Sequence, residues 1–317
     1  MEQSTFRFIQ SNKLVVNFIF GSDCIRAKGS HLMKTKSDHS IRYLMIILLF
    51  LNLINCSPKP KNNQVELLAL LGSNQITNNT RLNCPSGILP TGIPIADTVV
   101  SANSNVSGFN DSSKAINGIC GGGDLSGSLD VYALNLTGAG ATLVLSWGGK
   151  TVKNIAGNDF IVYENSFRVT ESNDRYAFDP MVVQVSFNGT NYCGFDISGF
   201  NSSVADSNKI SSWPGFGGLR PVLYNMSSNP LSLEQLFTST GSGFLLGGGD
   251  GFNIDDLITN VSCDTTVLNN IKTLGFKFIK MTSASAVTDP NTGLGYVYPH
   301  SYNNGSDIDG VVAKSIE

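Results

Sequence analysis

Histidine is nearly absent from this 317-residue chain: only His31, His39 and His300 occur. That scarcity argues against a histidine-based triad and against a multi-histidine zinc site. The six cysteines include no CxxC pair, so the spacing of a cysteine zinc site is missing too. Charged residues make up only 14% of the chain, and helix-forming charged stretches are scarce with them. No apolar run reaches the ~20 residues that a membrane-spanning helix needs. Gly121-Gly-Gly-Asp124 and Gly247-Gly-Gly-Asp250 lack the Lys-Ser/Thr ending of a phosphate loop, and neither precedes a clear helix. Both read as plain loops. No catalytic constellation stands out.

The start of the chain carries a targeting signal. Met33 to Arg42 is basic, Tyr43 to Ile54 is apolar over roughly a dozen residues, and Asn55-Cys56 follows as a processing site. This is the layout of a secretory signal over 33–55; the competing reading is a buried core helix. Residues 1–32 show no organised pattern and precede the signal, so we expect Met33 to be the true start. Leu53-Ile54-Asn55-Cys56 resembles the lipobox of bacterial lipoproteins, although Asn55 departs from the usual small residue. The resemblance implies that Cys56 carries lipid and becomes the mature N-terminus, with the membrane as partner. More than one acyl chain gives stable attachment.

From Cys56 onward, 14 basic residues against 21 acidic ones leave a net charge of −7. No basic patch is available to neutralise phosphates, so a nucleic-acid partner is not expected. Four cysteines remain in that mature part: Cys84, Cys120, Cys193 and Cys263. An even number in an exported chain suggests two disulfides. Three connectivities are open; proximity in the chain favours Cys84–Cys120 and Cys193–Cys263, with free buried thiols as the alternative.

Residues 56–83 read as a tether rich in Asn, Lys, Pro and Ser, interrupted by a short helical piece at Val65–Leu71. Residues 84–317 read as one all-β domain, a β-sandwich of jelly-roll type with long loops. Its centre is the stretch Ala156 to Ser166. Phe160 to Glu164 is apolar on both faces and bounded by turn residues, which suits a buried interior strand. Further strands are expected at Asp130–Asn135, Ala141–Trp147, Met181–Phe187, Tyr192–Ile197, around Leu274 to Phe278, and at Asp307–Ile316. Asn188-Gly189 signals a type I′ hairpin. Leu231–Phe237 is the one helical candidate.

Three segments resemble those of bacterial cell-surface β-sandwich proteins: Gly157 to Asn165 (GNDFIVYEN), Val183 to Gly189 (VQVSFNG) and Gly305 to Val311 (GSDIDGV). Their order, with the lipobox, makes the chain similar to a leptospiral-type surface lipoprotein. Asn188 and Ser306 depart from the pattern. The resemblance implies an outer-membrane or cell-surface location, without a settled activity. Gly251 to Leu257 (GFNIDDL) echoes the third segment. In carbohydrate-binding jelly rolls a similar terminal acid ligates a structural calcium. Asp159, Glu164, Asp307 and Asp309 are the candidates for Ca2+, with ordinary turn chemistry as the alternative. For a ligand surface, Trp213 and Phe216 form one aromatic loop, and Tyr296, Tyr298, His300 and Tyr302 alternate in another. Exposed, they would stack on sugars; folded back, they would cap the core. A binding module for glycan or extracellular matrix protein is the leading functional expectation. A ligand-free envelope protein and a glycoside hydrolase are the alternatives.

Overall fold

The computed structural model describes residues 84, 88–169, 172, 174–203, 207–241, 243–297 and 304–317, and the backbone of three short strands nearer the start. The chain divides into two compact units, Met1–Asn79 and Thr80–Glu317. In the first unit, β1 (Thr5–Gln10), β2 (Leu14–Phe20) and β3 (Ile25–Gly29) pair antiparallel in that order. β-Branched and aromatic residues in Leu14-Val-Val-Asn-Phe-Ile-Phe20 favour an extended backbone. The signal segment, Cys56 and the piece at 65–71 lie outside the described residues. Among the described residues, no helix is long and apolar enough to cross a membrane.

The second unit is an all-β sandwich. Its strands are β4 (Thr98–Ala102), β5 (Tyr132–Ala133), β6 (Thr142–Ser146), β7 (Phe160–Glu164), β8 (Phe167–Arg168) and β9 (Tyr176–Ala177). They are followed by β10 (Met181–Ser186), β11 (Cys193–Gly194), β12 (Asp250–Phe252), β13 (Phe278–Ser283) and β14 (Asp307–Ala313). A five-stranded sheet runs β11-β10-β13-β6-β4, and a four-stranded sheet runs β12-β7-β14-β5. All their pairings are antiparallel. The remaining pair, β8 and β9, forms a small ribbon.

β7 is interior in its sheet, as its sequence demands. Phe160 and Val162 point into the main core, together with Leu143 and Leu145 of β6, Val183 and Val185 of β10, and Ile279 and Met281 of β13. The inner faces of the two sheets therefore share one core. Phe160 anchors it, stacked on Phe252 at 5.3 Å and edge-on to Phe276 at 5.2 Å. Ile161 and Tyr163 point the other way, into a second cluster with Val312, Val222, Tyr224, Leu236 and Leu245. Long loops thus cover the outer face of the four-stranded sheet, which explains a strand that is apolar on both sides. The two echoing segments flank β7: β12 pairs on one edge and β14 on the other.

β14 carries a bulge. Ile308 faces Glu164 and Gly310 faces Tyr163, leaving Asp309 as the extra residue. Gly310 adopts φ 153°, a conformation that side-chain-bearing residues rarely take, and an added Cβ would press on Ile119 Cδ1 at 2.6 Å.

Several local expectations change. Asn188-Gly189 does not form a two-residue hairpin, because Val185 pairs with Cys193 across a longer loop. The Asn188 carboxamide oxygen instead accepts from the Thr190 and Asn191 amides, closing an Asx turn. The helical candidate shortens to α1 (Leu233–Leu236), held by a Ser232–Gln235 capping box. A ten-residue helix, α2 (Thr265–Leu274), stands where strand was expected around Leu274. Asp264 caps its start by accepting from the Val267 amide, and Gly275 ends it with φ 93°.

Both disulfides are present. Cys84 joins Cys120 at a Cα separation of 5.1 Å, and Cys193 joins Cys263 at 5.0 Å. The second one ties the β10–β11 hairpin to the loop entering α2.

Candidate functional site

Three segments converge at one end of the sandwich. β7 ends on Glu164, the turn into β10 carries Asp179, and β14 begins on Asp307. One oxygen from each carboxyl group lies within 4.8 Å of the other two. Glu164 and Asp179 are buried, whereas Asp307 is partly accessible. Glu164 Oε1 accepts from the Asp307 amide at 3.2 Å, and Asp307 Oδ1 accepts from Asn304 Nδ2 at 3.0 Å. Glu164 Oε2 and Asp179 Oδ1 are enclosed without a hydrogen-bond partner. Burial, and after it the neighbouring carboxylates, pushes the Glu164 and Asp179 carboxyls well above the usual range. Burial raises Asp307 to about 6, against hydrogen bonds from Asn165 and Asn304 that favour its anion.

Of the four acids singled out in the sequence, the structure brings only Glu164 and Asp307 together. Asp159, at the opposite end of β7, accepts from the Ile155 and Ile254 amides, each at 2.7 Å. Its pKa is raised by burial, with those two bonds opposing. Asp309 accepts twice from the Cys120 amide, at 3.1 and 2.9 Å, and so ties the bulge to the first disulfide. Burial raises it well above the usual range. Both carboxyls serve backbone amides, and two of these contacts, Asp309 with Cys120 and Asp159 with Ile254, join segments far apart in the chain. Asp179 was missed: Phe178-Asp-Pro180 shows only an acid ahead of a strand, a very common pattern.

The aromatic loops fold inward. Trp213 is 0% exposed, and Phe216 and Tyr296 are each 2% exposed. They join Tyr176, Phe178 and Leu219 over Val182 of β10 and Ala284 just after β13. Trp213 stands edge-on to Phe216 at 5.1 Å and donates Nε1 to the Ser207 carbonyl at 2.7 Å. Phe216 meets Tyr296 edge-on at 5.0 Å. Trp213, Phe216 and Tyr296 thus take the folded-back alternative and do not offer a sugar-stacking surface: the rings cap the core because burying so much apolar area outweighs exposure. Tyr298, His300 and Tyr302 lie outside the described residues.

A groove of about 520 Å³ opens beside the carboxyl cluster. Asn105, Ser107, Asn135, Thr137 and Asn304 supply its polar lining, with Phe109 and Leu136 as apolar floor. Asn135 is held from below: its Oδ1 accepts from Ser104 Oγ and the Asn105 amide, and its Nδ2 donates to Asn105 Oδ1. The Asn105 Nδ2 group and the Ser107 and Thr137 hydroxyls are exposed and, among the described residues, make no internal hydrogen bond. Among the described residues, no charged side chain lines the groove. A smaller pocket of about 250 Å³ lies near Arg220 and Phe244, but that guanidinium is committed to buried Asp250 at 2.6 Å.

No family model matches this sequence, and no curated protein or solved structure proves similar to it.

Proposed function

We propose that this protein is a lipid-anchored surface lipoprotein whose sandwich domain recognises a glycan in the groove at Asn105, Asn135 and Asn304. The observation that carries the reading is the chemistry of that groove. Carboxamides and hydroxyls surround a half-buried phenyl ring with no charge among them. A neutral polyhydroxylated ligand matches such a lining: its hydroxyls meet amide donors and acceptors, and its apolar face meets the ring. The lipobox-like Leu53 to Cys56 and the two disulfides support an exported, membrane-held chain. A glycoside hydrolase has less support, because no carboxylate lines the groove among the described residues and that chemistry needs a pair.

Two measurements test the reading. A glycan array probed with the purified protein should give saturable binding. Ser107→Ala combined with Thr137→Val should remove it with a change in melting temperature of under about 2 °C, since both positions are exposed. An array without saturable binding, or binding untouched by the double variant, rejects the groove. For the anchor, Cys56→Ala should abolish metabolic palmitate labelling; persistent label rejects Cys56 as the lipid site.

A further inference from the structure

The carboxyl cluster of Glu164, Asp179 and Asp307 is built like a half-finished coordination shell. Its ligand oxygens lie within 4.8 Å of one another, a span that one ion can bridge. Two oxygens of these carboxyl groups, Glu164 Oε2 and Asp179 Oδ1, are enclosed and accept no hydrogen bond. The salt bridges among the described residues pair other acids, and none reaches these three. Buried carboxylate oxygens without donor or counter-charge need a partner, and a cation is the partner that satisfies several at once. Two other oxygens of the cluster are already committed. Glu164 Oε1 accepts from the Asp307 amide, and Asp307 Oδ1 accepts from Asn304 Nδ2. Those bonds hold two of the carboxylate planes, as outer-shell partners do around a metal.

We propose that Glu164, Asp179 and Asp307 bind one hard divalent cation of the calcium type. All three donors are carboxylate oxygens, with no nitrogen or sulfur among them, which favours calcium or magnesium over zinc or copper. The donors come from three separate segments with no imposed octahedral order, and calcium accepts such irregular shells more readily than magnesium. Water reaching the partly accessible Asp307 side supplies the rest of the shell. The ion clasps the sandwich. Glu164 and Asp307 belong to the four-stranded sheet, and Asp179 leads into β10 of the other sheet. The Asn304–Asp307 bond also links the clasp to the groove rim, though the cation stands or falls without the glycan reading.

The experiment is calcium and magnesium titration of the chelator-treated, purified protein by calorimetry and thermal melting. One calcium should bind per chain and raise the melting temperature, with magnesium weaker. Titration should extend to about 5 mM, above the ~10⁻⁴–10⁻³ M constants of extracellular calcium modules. Asp179→Asn should weaken calcium about tenfold or more, because the ligand charge count sets the constant. Asp159→Asn, at the other end of β7, should not. If Asp179→Asn fails to fold, metal analysis of the wild-type protein purified without chelator decides, with one bound calcium expected. Absence of calcium uptake by the wild-type protein, magnesium bound tighter than calcium, or calcium affinity unchanged in Asp179→Asn each overturns the assignment.

Discussion

Trp213 shows how a single side chain carries two meanings until its neighbours are known. In the sequence it sits in a Trp-Pro-Gly-Phe loop that suits sugar stacking; in the fold it is fully enclosed by Phe178, Phe200 and Phe216. Trp213→Ala should therefore destabilise the domain by about 3–5 kcal/mol, the cost of a large cavity, as read from a denaturant midpoint. A shift under about 1 kcal/mol would mean that the ring is not part of the core. The carboxyl groups repeat the lesson. Glu164 and Asp307 were visible because both lie in segments with a recognisable pattern. Asp179 was not, since proximity among Glu164, Asp179 and Asp307 comes from sheet pairing and not from spacing along the chain. The disulfide partners were easier: each cysteine pairs with its neighbour in the chain, and chain proximity lowers the cost of closing the loop.

Whole elements were legible where the apolar pattern was complete. β7 was placed from Phe160 to Glu164 because both faces are apolar and turn residues stop it at each end. α2 was hidden for the opposite reason. Thr265, Thr266, Val267, Asn269 and Asn270 are weak helix formers, so the composition reads as strand or loop. The signals that define it were its ends, Asp264 and Gly275. Gly275 is the sharper of the two. Its φ of 93° is unfavourable for other residues, and an added Cβ would lie 2.0 Å from the Val152 carbonyl oxygen. Gly275→Ala should cost at least about 1–3 kcal/mol from the backbone conformation alone, seen as a lower melting temperature. A variant as stable as the parent would show that α2 can end another way.

At the scale of the molecule, two staples and one closing strand hold a sandwich with many loops. The Cys84–Cys120 and Cys193–Cys263 bridges close 36 and 70 residues. Reduction should remove roughly 2–5 kcal/mol per bridge, and thiol titration of the denatured, unreduced domain should find almost no free cysteine in residues 84–317. Four reactive thiols there would reject the pairing. The remaining feature is the position of β14. It follows every other strand in the chain yet lies inside the four-stranded sheet, and its Ile308 pairs with Glu164 across 144 residues. A nascent chain that has already made β7 must therefore wait for residues 307–313 before that edge is covered. Until then a strand of Phe160, Ile161, Val162 and Tyr163 stands open, the kind of edge that recruits other chains. Assembly is thus an end-loaded process with long-range closure, slow by topology. A chain cut before Asp307 would be born without the strand that shields its centre, and aggregation would outrun folding.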